Sequence, residues 1–339
     1  LNGLWDPQSA ASLRFLNKTY VLGLIHSSYA AHAKMILLLK ENKGLLLVGS
    51  GNLNQSGYAS QNEGFTYYTW DENSDDCLPE FLDARLFIQK LIDLEDFDDP
   101  IKNQIDNIWV DAPWIIGQGS SKSDIRHNLE TPLLDQFFNA IGSNNIEEIV
   151  VHAPFYDREC DALSELLNRA NAPSIQLLFQ RGRTSIDPNK LEKKLSTLTG
   201  KIDIREITTP SNSGLIHNKF IVARLKDRAI CLQGSANISS PALLRTQRDG
   251  NIELCNLLHG ERHEFDDLVN SLVISDKPST ISELDLEFKK SEPKSTVAES
   301  FIVRNLIWRA PMLYGTFIRE DLSKPKVMID GKEYKDINW

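Results

Sequence analysis

The feature of this sequence that most constrains its fold is a set of five residues that occurs twice with one spacing. In each set a histidine is followed by a lysine 2 residues later, a glycine 17 later and an asparagine 20 later, with a serine directly after the glycine. The two sets are His32, Lys34, Gly49, Ser50 and Asn52, and His217, Lys219, Gly234, Ser235 and Asn237. Self-similarity of this kind indicates two copies of one structural unit within a single chain.

The residues between the histidine and the glycine have the pattern of two strands joined by a turn. Apolar runs at 35–39 and 45–48 flank the polar turn 41–44 in the first copy, and runs at 220–222 and 230–232 flank a turn in the second. Side chains alternate faces along extended backbone, so the histidine and the lysine of each copy project on the same side. Small residues after the second run let the backbone approach a ligand closely. The pattern predicts that an imidazole, an ammonium and an amide converge on one point.

These groups suit phosphate chemistry. Lysine and asparagine hold phosphate oxygens, and histidine serves as a nucleophile or a proton carrier near neutral pH. Displacing an ester from phosphorus by a covalent route also requires a second group, which protonates the leaving oxygen from the opposite side. Two copies that face each other across a pseudo-two-fold axis would supply both histidines. We therefore expect one shared site.

These residues resemble the phospholipase D superfamily, whose signature is His-x-Lys, four residues, Asp, and then Gly-Ser-x-Asn. The resemblance covers both copies and, more loosely, residues 20–260. It departs at the Asp position, where the sequence has Leu39 and Arg224. The tyrosyl-DNA phosphodiesterase branch of the superfamily also lacks this Asp, so the departure weakens a lipid-cleaving function more than it weakens catalysis. The resemblance implies an α/β fold, namely a pseudo-two-fold repeat of mixed-sheet α/β/α layers.

The resemblance also implies a role for each residue of the predicted site. The catalytic set is His32, Lys34, Asn52, Glu63, His217, Lys219, Asn237 and Glu253. In this set the two glutamates hydrogen-bond the histidines and fix their tautomers. The predicted substrate contacts are Ser50, Asn54, Ser235 and Ser239, with Phe155 or Tyr156 as a stacking platform for a base. Alternatives remain open, because glutamates are usually solvated at the surface and an aromatic residue at a strand end usually packs in the core.

Composition places the chain among globular proteins. It has 339 residues, of which 41% are hydrophobic and 25% charged, and no apolar run reaches the 18 or more residues that cross a bilayer. The four cysteines lie far apart without metal-ligand spacing, which argues against a disulfide framework or a zinc site and favours a reducing cytoplasm. They are Cys77, Cys160, Cys231 and Cys255. We expect neither a metal nor a cofactor, because covalent catalysis by histidine needs none.

The net charge of −10 argues at first against a nucleic-acid partner. Residues 71–99 account for nearly all of it, because they contain eleven acidic and two basic residues, a balance of −9 that leaves −1 for the rest of the chain. Such an insertion is typically a solvated face. A mimic of nucleic acid that restrains the site is the alternative.

We predict four segments along the chain. They are a first half at 1–140, a second half at 141–275, a linker at 276–300 and the start of a β-rich domain at 301–339. The second histidine follows a full βαβ pattern whereas only about thirty residues precede the first, so the first half is expected to be incomplete. The last domain is also expected to be incomplete, because the sequence stops within it. The sequence predicts helices at 78–92, 131–141, 161–170 and 189–198, strands at 109–116, 148–153, 175–179 and 202–207, and a hairpin turn at Asp330-Gly331.

The leading functional hypothesis is a metal-independent phosphodiesterase that cuts nucleic acid, DNA ahead of RNA, through a phosphohistidine. By resemblance His32 attacks phosphorus and His217 protonates the leaving oxygen, although the symmetry of the sequence would allow the reverse. A phospholipase D or phosphatidyltransferase acting on phospholipid, and a non-catalytic nucleic-acid-binding module, are the alternatives. By analogy with bacterial nucleases of the superfamily, a helicase or restriction-type module is a further expected partner.

Overall fold

The computed structural model describes residues 29–53, 62–74, 76–94, 99–119, 122–209 and 214–289, the single residues 23, 25 and 97, and the backbone of four strands beyond residue 301. The chain divides into two compact units, Leu1–Lys290 and Ser291–Trp339. The described helices of the first unit are α1 Leu78–Leu94, α2 Asp99–Asp111, α3 Leu133–Ile141, α4 Asp161–Ala170, α5 Pro188–Leu195 and α6 Asp266–Asn270. Its strands are β1 Met35–Lys40, β2 Lys43–Gly49, β3 Phe65–Asp71, β4 Ile125–His127, β5 Glu148–His152, β6 Ser174–Phe179, β7 Lys201–Thr208, β8 Phe220–Arg224, β9 Arg228–Gly234, β10 Leu254–Glu261 and β11 Val273–Ile274.

Two sheets organise the first unit. The larger sheet has eight strands in the order β11-β7-β6-β5-β8-β9-β10-β4, in which β5, β6 and β7 run parallel and the remaining pairs are antiparallel. The smaller sheet is the antiparallel meander β1-β2-β3. The fold is therefore mixed α/β, as the sequence predicts.

The meander β8-β9-β10 of the larger sheet repeats the register of the smaller sheet. Leu38 pairs with Leu45 in β1 and β2, and the equivalent residues Ala223 and Ile230 pair in β8 and β9. At the third strand, Gly49 pairs with Phe65 and the equivalent pair is Gly234 with Cys255. Identical spacing between the histidine and the glycine has thus produced identical pairing of the first two strands of each copy.

Three hydrophobic cores hold these layers together. The largest lies between one face of the eight-stranded sheet and helices α3, α4 and α5, where Phe137, Leu163 and Leu191 are buried. A second core covers the opposite face and includes Val269 of α6. The third packs one face of the small sheet against α1. This helix is part of the acidic insertion at 71–99, and its apolar side is buried against the sheet.

Local signals explain several element ends. Asp187 caps α5 by accepting hydrogen bonds from the backbone N–H groups of Asn189 and Lys190, which would otherwise lack partners. Helix α3 ends at Gly142, whose φ of 66° lies in the left-handed region that favours glycine. The helices and strands predicted between 131 and 207 are confirmed, with boundaries that differ by three residues or fewer.

Two sequence predictions differ from the structure. Residues 109–116, predicted as a strand, form the end of α2 and the 3-10 turn Pro113–Ile115, because a short apolar run fits either type of element and the packing of Trp109 in the third core decides. The start of the predicted linker at 276–300 belongs to the first unit, since the largest core includes Leu284 and Leu286.

The second unit consists of two described hairpins. Strands β12 Ile302–Arg309 and β13 Met312–Ile318 pair antiparallel, as do β14 Val327–Ile329 and β15 Lys332–Tyr334. Ile329 pairs with Lys332 across two residues, which confirms the hairpin predicted from Asp330-Gly331.

Candidate active site

The two histidines lie directly before equivalent strands and are anchored to opposite copies of the repeat. The backbone N–H of His32 donates to the carbonyl oxygen of Ile252 at 2.8 Å, and that of His217 donates to the carbonyl oxygen of Asn62 at 2.9 Å. Each histidine segment therefore runs beside the chain that leads to the other copy's glutamate. A side-chain hydrogen bond also joins the two sheets, in which the Tyr68 hydroxyl of β3 donates to Oδ1 of Asn256 of β10 at 3.0 Å.

Each histidine is hydrogen-bonded by the glutamate of the other copy. Nδ1 of His32 lies 3.0 Å from a carboxylate oxygen of Glu253, and Nδ1 of His217 lies 2.9 Å from Glu63. The Glu253 side chain is fully buried and that of Glu63 is 2% exposed. Both glutamates thus contact the histidines rather than solvent. Their exchange between the copies goes beyond the prediction, which did not assign partners.

The environment keeps both carboxylates ionised. Burial by itself would raise the pKa of Glu63, but hydrogen bonds from His217 and Ser50 bring it below the ordinary value. Burial opposes ionisation of Glu253 as well, and attraction to His32 with hydrogen bonds from His32, Ser235 and Asn251 lowers its pKa overall. A buried ionised carboxylate on Nδ1 holds the imidazole in the tautomer whose Nε2 carries a lone pair.

The two motif serines orient these glutamates. The hydroxyl of Ser50 donates to Glu63 at 2.5 Å, and the hydroxyl of Ser235 donates to Glu253. Each hydroxyl also accepts a backbone N–H at 2.9 Å, from Gly64 and Leu254 respectively. Both serines are fully buried. The prediction that they contact substrate is therefore corrected, because their hydroxyls are used within the protein.

The motif lysines lie beside the histidines with little exposure to water. Nζ of each donates to the carbonyl oxygen of the histidine two residues earlier at 2.5 Å, and Nζ of Lys219 lies 3.0 Å from Nδ1 of His217. Burial lowers the pKa of Lys34 to about 8 and that of Lys219 to about 7. Burial also lowers the pKa of His217, and the Lys219 charge acts in the same direction.

The remaining predicted contacts divide by exposure. Asn52 is exposed, whereas Asn237 is partly buried. Among the described side chains, none hydrogen-bonds Oδ1 of Asn237, although that atom is buried. Ser239 precedes the π-helical turn Ser240–Leu244 and is partly buried. Asn54 lies outside the described residues.

The two aromatic candidates point in different directions. The Phe155 ring is 38% exposed and meets His217 edge to face, with ring centroids 6.0 Å apart. Tyr156 is 4% exposed and packs against Phe179 in the largest core. Tyr156 therefore offers no open ring face to a stacked base, and its assignment as a substrate contact is corrected.

Two asparagines outside the predicted site complete the surroundings of Glu253. Nδ2 of Asn251 donates to Oε1 of Glu253 at 2.8 Å. Asn128 accepts the backbone N–H of Glu253 at 2.8 Å through Oδ1 and donates to the carbonyl oxygen of Asn251 through Nδ2 at 2.8 Å. The spacing of Asn251 from Glu253 was visible in the sequence, but Asn128 follows a different strand and no local signal marks it.

Leu39 and Arg224, which occupy the Asp position of the two copies, make contacts that stabilise the fold. Arg224 donates to Glu148 at 2.5 Å and to Asp266 at 2.7 Å, which ties β8 to β5 and α6. Leu39 packs against the third core. None of these contacts involves a histidine of the predicted site.

Several general properties of the described residues bear on the site. They contain no group of three or more His, Cys, Asp or Glu side chains arranged to hold a metal ion. All four cysteines are free thiols. Within the same residues, no helix is long and apolar enough to span a membrane.

Comparison with known proteins gives weak structural similarity and no match in sequence. No protein-family model and no curated protein matches the sequence. Among solved structures, the chain is similar to a polyphosphate kinase from Porphyromonas gingivalis, with a TM-score of 0.37 and 14% sequence identity. The similarity covers 67% of this chain and 30% of the kinase chain. This chain thus spans less than a third of the length of that enzyme.

Proposed function

We propose that this chain is a phosphodiesterase of the phospholipase D type that hydrolyses nucleic acid through a phosphohistidine intermediate. The observation that carries the proposal is the crossed pairing, in which the Nδ1 atoms of His32 and His217 lie 3.0 Å and 2.9 Å from carboxylates of the opposite copy. Two oriented imidazoles and two buried lysines in one place form the set of groups that displacement at phosphorus requires. A pseudo-two-fold arrangement of the two halves is part of this proposal.

In the first step, Nε2 of His32 attacks phosphorus and the bond from phosphorus to the leaving oxygen breaks. The leaving oxygen takes the proton that His217 carries on Nε2. Glu253 accepts the Nδ1–H of His32 and stabilises the positive charge that develops on the ring as the phosphorus–nitrogen bond forms. The transferred group is then held as a phosphohistidine on residue 32.

In the second step, His217 takes a proton from water, and the water oxygen attacks phosphorus. The phosphorus–nitrogen bond breaks, which returns His32 to its neutral form and His217 to its protonated form. Lys34 and Lys219 stabilise the charge on the non-bridging oxygens in both steps. Atoms and charges balance over the cycle with water as the co-reactant.

The nucleic-acid substrate is supported by the exposed ring of Phe155 beside His217. A nucleobase next to the scissile phosphate can stack on an aromatic ring without sequence preference. The overall charge of −10 does not oppose this, because the acidic insertion at 71–99 accounts for −9 of it.

Hydrolysis of bis-p-nitrophenyl phosphate in the presence of EDTA tests the chemistry. We expect release of p-nitrophenol by the natural chain and loss of at least roughly 10⁴-fold in the His32→Ala variant. The matched control is His263→Ala, because His263 is a histidine whose side chain is 73% exposed. Equal activity of the His32→Ala variant and the natural chain would overturn the proposal, as would complete dependence on added metal.

Labelled DNA, RNA and phosphatidylcholine vesicles, assayed in parallel, test the substrate class. We expect cleavage of the nucleic acids and none of the vesicles. Cleavage of vesicles alone would replace the nuclease assignment with a lipid-cleaving one.

A further inference from the structure

The side chain of Gln180 contacts the backbone directly before His217. Gln180 follows the last residue of β6 and is 8% exposed. Its Nε2 donates to the carbonyl oxygen of Gly214 at 2.9 Å, and its Oε1 accepts the N–H of Ile216 at 3.0 Å. A residue of a parallel strand would make the same two bonds opposite Leu215, because the side-chain amide also carries a donor and an acceptor. The Gln180 side chain thus takes the place of a neighbouring strand.

The backbone of Asn62 pairs with the same segment along its opposite edge. The N–H of Asn62 donates to the carbonyl oxygen of Leu215 at 3.1 Å, and the carbonyl oxygen of Asn62 accepts the N–H of His217 at 2.9 Å. Asn62 directly precedes Glu63, which hydrogen-bonds the His217 ring. The segment at 214–217 is therefore held between Gln180 and the chain that carries the glutamate partner of His217.

The other histidine has an equivalent arrangement. Two isolated backbone pairings each join the residue before a motif histidine to the residue before a glutamate, and they are Ala31 with Ile252 and Ile216 with Asn62. A side-chain amide lies against each pairing. Asn128 binds the chain that carries Glu253, whereas Gln180 binds the chain that carries His217. The two amides thus fix opposite members of the two histidine–glutamate pairs.

Loss of the Gln180 amide would remove the acceptor of the Ile216 N–H. Ile216 is fully buried, and a buried N–H without a partner is costly, so the backbone would move toward solvent to regain a hydrogen bond. His217 is the next residue, and its ring would move away from Glu63 with the backbone. A displacement of about 1 Å can slow a reaction about 100-fold.

We propose that Gln180 is a positioning residue that holds the backbone of His217 in place for proton transfer, an inference that rests on the function proposed above. Gln180 contacts no reacting atom and acts through the segment at 214–216. With bis-p-nitrophenyl phosphate, p-nitrophenolate leaves without a proton, so formation of the phosphohistidine does not need His217. Hydrolysis of the phosphohistidine does need it, because His217 takes the proton from water. Gln180 therefore controls the second step and not the first.

Rapid-quench measurement of p-nitrophenol release tests this division. Gln180→Met keeps a side chain of similar length but loses both hydrogen bonds. We expect the first turnover at the natural rate and later turnovers at least roughly tenfold slower. Asp187→Ala is the matched control, because it removes two hydrogen bonds to the backbone at the start of α5, and both phases should stay unchanged. Natural turnover in Gln180→Met, or an equal loss in both phases, would overturn the proposal.

Amide hydrogen exchange followed by mass spectrometry tests the positioning without catalysis. In Gln180→Met we expect exchange at least roughly tenfold faster in peptides covering 214–219 and unchanged exchange in those covering 251–254, which Asn128 holds. Unchanged exchange at 214–219 would overturn the positioning role. Faster exchange there in a chain that hydrolyses no diester would support the hold of Gln180 on His217 and contradict the phosphodiesterase function.

Discussion

The two motif copies share their internal geometry but differ in access to solvent. In both, the lysine donates to the histidine carbonyl and the serine orients the glutamate. The His32 side chain is 24% exposed, whereas that of His217 is 9% exposed. The first copy belongs to the three-stranded sheet, and the second lies among the central strands of the eight-stranded sheet. The two copies therefore have the same local hydrogen bonds, but the side chain of His32 is more exposed to solvent than that of His217.

The difference in exposure favours different roles for the two histidines in the proposed reaction. A nucleophile must reach phosphorus along the line of the breaking bond, which favours the more exposed imidazole. A proton carrier works from within a hydrogen-bonded enclosure, such as the one that Glu63 and Lys219 form around His217. These considerations support the assignment of attack to His32, which the symmetric sequence leaves open.

The largest expected effect separates the two histidines by the step each performs. His32→Ala should release no p-nitrophenol from bis-p-nitrophenyl phosphate, because no bond to phosphorus can form. His217→Ala should release about one equivalent in a burst and then stop, since p-nitrophenolate leaves without a proton but hydrolysis of the intermediate needs the base. Rapid-quench measurement of the burst, with mass spectrometry of the trapped enzyme, gives the readout.

The opposite result would reverse the comparison. A burst in His32→Ala and none in His217→Ala would assign the attack to the enclosed histidine. A covalent adduct on neither histidine would rule out the phosphohistidine route altogether.

The second expected effect concerns the exchanged glutamates. Glu63→Gln should act on His217, moving the pH limb that reports this proton carrier to lower pH and reducing kcat by roughly 10²-fold. Glu253→Gln should slow formation of the adduct on His32 by a similar factor and leave that limb in place. The pH profile of kcat and the rate of the burst distinguish the two variants. If Glu253→Gln moved the limb of His217, the crossed assignment would fail.

The sequence alone could predict which residues of the two copies are equivalent. It could not predict that each glutamate pairs with the histidine of the other copy. Identical spacing fixed the equivalent residues, and it implies equal strand registers, as the pairs Leu38–Leu45 and Ala223–Ile230 confirm. Which glutamate meets which histidine depends on how the two sheets pack, and no spacing within one copy encodes that packing. The contact between Asn128 and Glu253 could not be predicted either, because it joins residues that are distant in sequence.

The two neighbouring aromatic residues illustrate a different limit. Phe155 and Tyr156 follow the same strand, and sequence reasoning named either as a platform. The structure turns Phe155 toward His217 and Tyr156 into the core. The pattern predicts that neighbouring side chains diverge, but only the tertiary packing decides which of the two faces His217.

The third expected effect sharpens the contrast between the lysines. With a pKa of about 7 for Lys219 and about 8 for Lys34, both carry charge at pH 6, and Lys219 loses it first as pH rises. The KM for a diester, which stays a monoanion over this range, should rise roughly tenfold from pH 6.5 to pH 8.5. Lys219→Arg should flatten the rise, because guanidinium stays charged. Lys190→Arg, on the surface helix α5, is the matched control and should leave the profile unchanged. A KM independent of pH in the natural chain would contradict deprotonation of these lysines.

The smallest expected effect is on acid stability, where Glu253 is compared with Glu165, an exposed glutamate on α4. The folded-state pKa of Glu253 lies below its ordinary value of 4.5, so its ionised form stabilises the fold at pH values above about 4.5, and that contribution is lost as pH falls through the folded-state pKa. Glu253→Gln should therefore lower Tm by several degrees at pH 7, and the deficit should shrink toward pH 3, whereas Glu165→Gln should change Tm little at either pH. Differential scanning calorimetry of the three chains across this range measures the deficit. A deficit that stayed constant with pH would mean that Glu253 stabilises the fold by packing rather than as the charged partner of His32.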